Sequence, residues 1–335
     1  MKKLFLFDAM ALIYRAHFAF AKTPRISSKG INTSAVFGFA NTILEVINKE
    51  KPDYLGVAFD TPKPTFRHIE YTPYKAQRQE QPEDITIAIP YVKRLVEAMD
   101  IPLLILDGYE ADDVIGTIAK KAVRANPDIE VYMMTPDKDY GQLVEERIKM
   151  YKPAFMGKGV EVLGPKEVCQ RWNIANVDQV IDMLGLMGDA VDNIPGIPGV
   201  GEKTAAALLQ GLGSIEQIYQ QLDKVATLSF RGAKTMAAKL QEFRQQLLLS
   251  YQLATIKTDV ELPYQLADLM IKAPDNAALA ELYKDCEFRR WLSEVLSAGE
   301  TVKPQSKAAQ LDMLADDAEP QQTENSPAPL NASQY

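Results

Sequence analysis

Four short segments, at residues 3–7, 54–59, 103–106 and 130–134, are apolar apart from a charged residue opening the first and the last, and are separated by stretches whose apolar residues recur at helical spacing. Runs of that length without polar alternation suit strands buried on both faces, and their alternation with amphipathic helices predicts a parallel α/β sheet. Helices are expected at 11–20, at 34–48, where Val36, Phe39, Ile43, Leu44 and Ile47 share a face, and at 84–99. Each run leads into acid: Asp8, then Asp60, then Glu110 with Asp112 and Asp113, then Asp137 and Asp139. Ligands of such sheets bind beyond the carboxyl ends of the strands, so these side chains are expected to meet in one crevice.

The third acidic group opens a helix, where the macrodipole favours anions but three carboxylates repel one another and call for a cation. Ile115, Ile118, Ala119, Ala122 and Val123 follow at the spacing of a core-facing stripe. After residue 164 strands disappear; helices at 165–172 and 177–187 are expected, the second running into Asp189 and Asp192. Singly, each acid reads as a cap or a solvated charge. Together, with no His or Cys beside them, the nine suit Mg2+, or Mn2+ in its place, rather than zinc. Two such ions about 4 Å apart activate water and stabilise the leaving oxygen of a phosphoryl displacement.

Residues 61–81 break the pattern, with Pro62, Pro64 and Pro73 among Lys63, Arg67, His68, Lys75 and Arg78 and the aromatics Phe66, Tyr71 and Tyr74. No core element fits this composition, which predicts a functional excursion above the sheet whose cations and rings suit single-stranded nucleic acid. Lys75 and Arg78 share a face if the segment makes a helical turn. The glycines of 194–205 are not a phosphate loop of the form G-x-x-x-x-G-K-[ST], because Glu202 stands between Gly201 and Lys203-Thr204. A turn between two helices, with Gly196, Gly199 and Gly201 exposing N–H groups and Lys203 adding charge, suits a nucleic-acid phosphate; a tight helix connection is the structural alternative. His17, His68, Cys169 and Cys286 stand alone and receive no catalytic role.

The net charge of −8 argues against a polyanion partner only superficially. Residues 299–335 hold six acids and two bases, which leaves −4 for the rest; setting the nine carboxylates aside turns that remainder to +5. No apolar run approaches membrane-spanning length, so no membrane association and a cytoplasmic location are expected. The polar tail from 299 reads as a disordered tail or linker.

The order Asp8, Phe59-Asp60, Phe66-Arg67, Tyr74-Lys75-Ala76-Gln77-Arg78, Tyr109-Glu110-Ala111-Asp112-Asp113, Thr135-Pro136-Asp137-Lys138-Asp139, Gly188-Asp189 to Asp192-Asn193-Ile194-Pro195-Gly196 and Gly199-Val200-Gly201 resembles the 5′-nuclease, or flap endonuclease-like 5′-3′ exonuclease, domain of bacterial DNA polymerase I. The resemblance spans residues 1 to about 296. It implies a PIN-like catalytic region over 1–164, an arch at about 61–85 that passes a single strand, and a helical DNA-binding region over 165–298 with a helix-hairpin-helix type motif. It further implies two Mg2+ ions on the nine carboxylates, phosphate contacts from Lys75 and Arg78, and DNA contacts from Phe66, Arg67, Tyr74, Gly196, Gly199, Gly201, Lys203 and Thr204. Pro136 departs from a family pattern that has Gly before the acid.

The function implied is structure-specific hydrolysis of DNA at 5′ flaps, nicks and RNA–DNA primer junctions in replication and repair, by a free-standing nuclease or part of a polymerase. A PIN-type RNase and a non-catalytic DNA-binding module are the alternatives. The hairpin weighs against the first and the carboxylates against the second. In the tail, Gln310-Leu311-Asp312-Met313-Leu314 resembles the motif by which bacterial replication proteins engage the sliding clamp.

Overall fold

Six strands form one sheet in the computed structural model, which describes residues 1–154 and 159–300. They are β1 (Lys2–Asp8), β2 (Tyr54–Ala58), β3 (Leu103–Leu104), β4 (Ile129–Met134), β5 (Ile148–Lys152) and β6 (Glu161–Leu163). The spatial order is β3-β2-β1-β4-β5-β6, parallel throughout except for the β5–β6 edge pair. The chain lays β2 and β3 on one side of β1 and then returns to place β4 on the other. That reversal creates a topological switch point beyond the carboxyl ends of β1 and β4.

Side chains of β1 alternate between two apolar layers, as the two-residue period of a strand requires. Leu4 and Leu6 meet Val114, Ile115, Ile118 and Ala119 of the Ala111–Ala125 helix. Phe5 and Phe7 meet the Ala9–Ala19, Ser34–Glu50 and Glu83–Ala98 helices on the opposite face, through Ile13, Phe39, Ile43 and Val92. The first layer continues without a break into the helices Pro165–Trp172, Gln179–Met187, Glu202–Leu212 and Arg244–Ala254, through Val168, Met183, Leu208 and Leu253. Helix Asn276–Asp285 then crosses to the second layer, where Leu279, Leu282 and Tyr283 are buried.

Three expectations change. The third strand is only Leu103–Leu104, and β5 and β6 were not foreseen. Ile148 and Met150 of β5 are buried between half-buried lysines, and β6 is too short to display a period. The 61–81 segment, read as lacking any core element, contains a short helix, Phe66–Glu70, and buries Thr65, Arg67 and Tyr74. The disordered-tail reading, and residues 310–314 with it, fall beyond residue 300 and so outside the described residues.

Candidate active site

Asp8 ends β1, with one oxygen capping the next helix through the Ala11 N–H (3.2 Å) and the other accepting from the Thr135 hydroxyl (3.0 Å). Thr135 Oγ1 in turn accepts the Asp137 N–H at 3.1 Å, which holds the turn containing Pro136. Asp60 Oδ1 accepts the Ala111 N–H at 2.8 Å and so joins the end of β2 to the start of the acidic helix, whose N-cap is Glu110. Asp137 accepts the Asp139 N–H at 3.0 Å. Asp189 and Asp192 lie in a loop closed by reciprocal backbone bonds between Asp189 and Ile194. Strand ends, one helix start and the loop after the Gln179–Met187 helix thus bring acids from five parts of the chain to one crevice.

Electrostatically the crevice has two halves. Asp8, buried and facing Asp60, is pushed up to about 7. Burial, reinforced by Asp113 for Asp112 and by Asp137 for Asp139, pushes those two carboxyls well above their ordinary range. Asp60 and Asp137 are also raised, chiefly by burial. Asp139 Oδ1 and the Tyr140 hydroxyl are buried without a hydrogen-bond partner among the described residues.

Protein cations hold the other half. Glu110 Oε2 accepts from Lys75 Nζ (2.8 Å) and the Tyr74 hydroxyl (3.0 Å). Asp192 pairs with Arg78 through Oδ1, and its Oδ2 lies 3.3 Å from the same Tyr74 hydroxyl, which has one proton to share between the two carboxylates, and 3.7 Å from Lys75. Asp189 pairs with Lys138 at 3.0 Å. Burial raises the carboxyls of Glu110 and Asp192, yet Lys75, with Arg67 at the first and Arg78 at the second, outweighs it and leaves both below their ordinary values.

An all-oxygen donor set with surplus, desolvated negative charge fits a hard divalent cation, and Asp139 Oδ1 is an oxygen such an ion would satisfy. The fit rests on donor chemistry and charge. Among the described residues no three acidic, His or Cys side chains already form a cage around one point.

Several expected site residues have other work. Asp113 is fully buried, receives both terminal nitrogens of Arg67 at 2.8 Å, and accepts the N–H groups of Lys257 and Glu110; with its lone pairs taken it is not placed as a metal ligand. Arg67, 1% exposed, also donates to the carbonyls of Leu253 and Thr255, with Nη1 3.6 Å from Glu110 Oε2, so it does not face DNA. Tyr74 is 3% exposed with its hydroxyl on Glu110, and is no stacking platform. Phe66 is half-buried with Arg67 and Lys257 each 4.6 Å from its ring centre, which leaves little free face for a base.

Gly196 is buried; its N–H donates to Ser250 Oγ and its carbonyl accepts from Gln246, so it cannot also bind phosphate. Its φ of +57° and a backbone approach to Gly188, where an added Cβ would lie 2.3 Å from nitrogen, require glycine. Gly199, Gly201 and Lys203 are exposed and Thr204 half-buried. Lys239 reaches the Pro198 carbonyl at 3.0 Å, adding a base beside the hairpin. Thr135 and Lys138 enter the sequence reading only as part of the quoted motif and receive no role there; Lys239, Tyr140, Lys257 and Ser250 are not singled out.

Residues 3–173 match the family model for the 5′-3′ exonuclease N-terminal resolvase-like domain, and residues 175–277 the 5′-3′ exonuclease C-terminal SAM fold. The chain is 42% identical over 324 residues to DNA polymerase I of Pseudomonas aeruginosa, covering 94% of this chain and 34% of that protein. It is 37% identical over 295 residues to a 5′-3′ exonuclease of Aquifex aeolicus, covering 88% and 96%. The chain thus spans about a third of the polymerase relative's length. Its fold is similar to that of T5 5′-exonuclease with bound zinc, with a TM-score of 0.62 at 20% identity over 88% of this chain and 99% of that one. The catalytic core of Rad2 in complex with DNA shares it at a TM-score of 0.56 and 17% identity over 89% and 92%.

Proposed function

Because the chain belongs to the 5′-3′ exonuclease family, we propose that it hydrolyses DNA phosphodiesters near the junction of a 5′ single strand with a duplex, acting at flaps, nicks and RNA–DNA primer junctions in replication and repair. The observation that carries this reading is the divided crevice, in which five upshifted aspartates face Lys75 and Arg78 across Glu110 and Asp192. Asp8, Asp60, Glu110, Asp112, Asp137, Asp139, Asp189 and Asp192 would hold two Mg2+ ions, or Mn2+ in their place, which when bound activate water and neutralise the leaving oxygen.

The chain's own residues do the positioning. Lys75 Nζ and the Arg78 guanidinium stand at the rim, where a phosphate could take over the bonds they now make to carboxylates. Gly199, Gly201 and Lys203 lie exposed on the helical side, where they would grip duplex backbone without reading bases. The same reading places the chain as part of a DNA polymerase or beside one in the cytoplasm, with residues 310–314 as a contact to the sliding clamp.

Incubation with a labelled 5′-flap duplex and with matched single-stranded RNA, each with Mg2+ or EDTA, tests it. Mg2+-dependent cutting at the flap junction supports it. Preferential RNA cleavage favours the RNase alternative, and binding without cutting favours the non-catalytic one.

A further inference from the structure

Between the 61–85 segment and the crevice runs a closed circuit of bonds. Arg67 donates to Asp113 through both terminal nitrogens, and the Asp113 oxygen that takes Nη1 also accepts the Glu110 N–H at 3.1 Å. The Glu110 carboxylate then receives Tyr74 and Lys75, which return along the chain to Arg67. The circuit is anchored from outside as well. The Leu253 and Thr255 carbonyls accept from Arg67, and the Lys257 N–H donates to Asp113 Oδ1 at 2.8 Å. Three stretches far apart in sequence therefore meet at one fully buried guanidinium–carboxylate fork. A lysine could not reproduce it, lacking the planar pair of donors.

We propose that Arg67 is a positioning residue for the nuclease reaction and Asp113 its partner rather than a metal ligand: the fork fixes the root of the 61–85 segment and the backbone of Glu110 together, so that Lys75 and the crevice keep one geometry. This rests on the nuclease reading above. The pair borders the crevice and acts on it through Glu110, whose Oε2 lies 3.6 Å from Arg67 Nη1, through Lys75, and through Asp112, whose Oδ1 accepts the Asp113 N–H at 2.7 Å.

The test compares Arg67→Lys, Asp113→Asn and their double variant with wild type and with Asp112→Asn, at a temperature where circular dichroism shows all to be folded. Three readouts are taken: Mn2+ binding by electron paramagnetic resonance, hydrogen exchange of the Glu110 and Lys257 amides and of residues 66–78, and single-turnover cleavage of a 5′-flap duplex. Both single variants should exchange faster at those amides. They should also cut on the order of a hundredfold more slowly at saturating substrate, the cost expected of a misplacement near 1 Å, with little change in flap affinity. The double variant should be no slower than the worse single one, since either change opens the same circuit. Asp113→Asn should keep the wild-type number of bound Mn2+ ions, whereas Asp112→Asn should lose binding. Loss of an Mn2+ ion from Asp113→Asn, additive rate losses, or unchanged exchange at Glu110 would each overturn the proposal. Should wild type fail to cut the flap, the functional reading fails, while Mn2+ stoichiometry and exchange still decide whether the fork positions Glu110 or Asp113 holds an ion.

Discussion

Three demands converge on the Glu110 side chain and backbone: it caps the acidic helix, it accepts from Lys75 and Tyr74, and it stands among the acids expected to hold metal. Its carboxyl is held below the ordinary range although burial works against it, so it is the charged form that the site uses. Glu110→Gln, or Asp60→Asn at the neighbouring strand end, should reduce single-turnover cleavage by on the order of a thousandfold. Flap affinity measured with Ca2+ should stay within a few-fold of wild type. Near-normal turnover by either variant at saturating Mg2+ would remove these residues from the site. A second acid, Asp182, is buried outside the crevice and is pushed up to about 6 by burial, against the lowering effect of its bond from the Ile215 N–H. The folded protein then keeps a proton that the unfolded chain loses near pH 4, so stability falls as pH rises from about 4 to 6 and stays lower above that. Asp182→Asn retains the acceptor oxygen without the charge. It should stabilise the protein at pH 8 by on the order of 2 kcal/mol, with no gain left at pH 4. A gap between the two denaturation midpoints that does not change with pH would refute this.

At the level of elements, the hairpin before the Glu202–Leu212 helix divides its glycines between two jobs. Gly196 lets the chain pass against Gly188 in a left-handed conformation, whereas Gly199 and Gly201 face solvent. Gly196→Ala should therefore destabilise the fold by more than about 1 kcal/mol, since φ is wrong for alanine and the new methyl meets backbone. Lys203→Ala should leave the denaturation midpoint unchanged, weaken duplex binding and lower the slope of log K against log salt by about one. If Lys203→Ala bound duplex with the wild-type slope, the hairpin would be a helix connection and nothing more.

For the molecule as a whole, the helices after residue 164 share one apolar layer with the sheet and its Ala111–Ala125 helix, so neither part owns a complete core. A chain ending at residue 164 should expose that layer and fail to unfold cooperatively; a sharp thermal transition from residues 1–164 alone would show a separable domain. Much of this plan was legible beforehand, because a strand buried on both faces reads as a nearly continuous apolar run and a parallel sheet binds its ligands beyond the carboxyl ends of its strands, where these acids follow. That reasoning located Asp8, Asp60, Glu110 and Asp137 and the crevice they share. It missed β5 and β6, where flanking lysines and short length hide the period. The partners of each charge were also beyond its reach. In sequence Asp112 and Asp113 are adjacent and chemically identical. In the fold one lies among surplus negative charge while the other receives a guanidinium that is also bound by the carbonyls of Leu253 and Thr255. Local pattern determines which face of an element is buried, since it needs only the period of the backbone. Which acid is neutralised by protein, and which is left for an ion, depends on side chains brought from distant parts of the chain, and only the packed tertiary structure settles it.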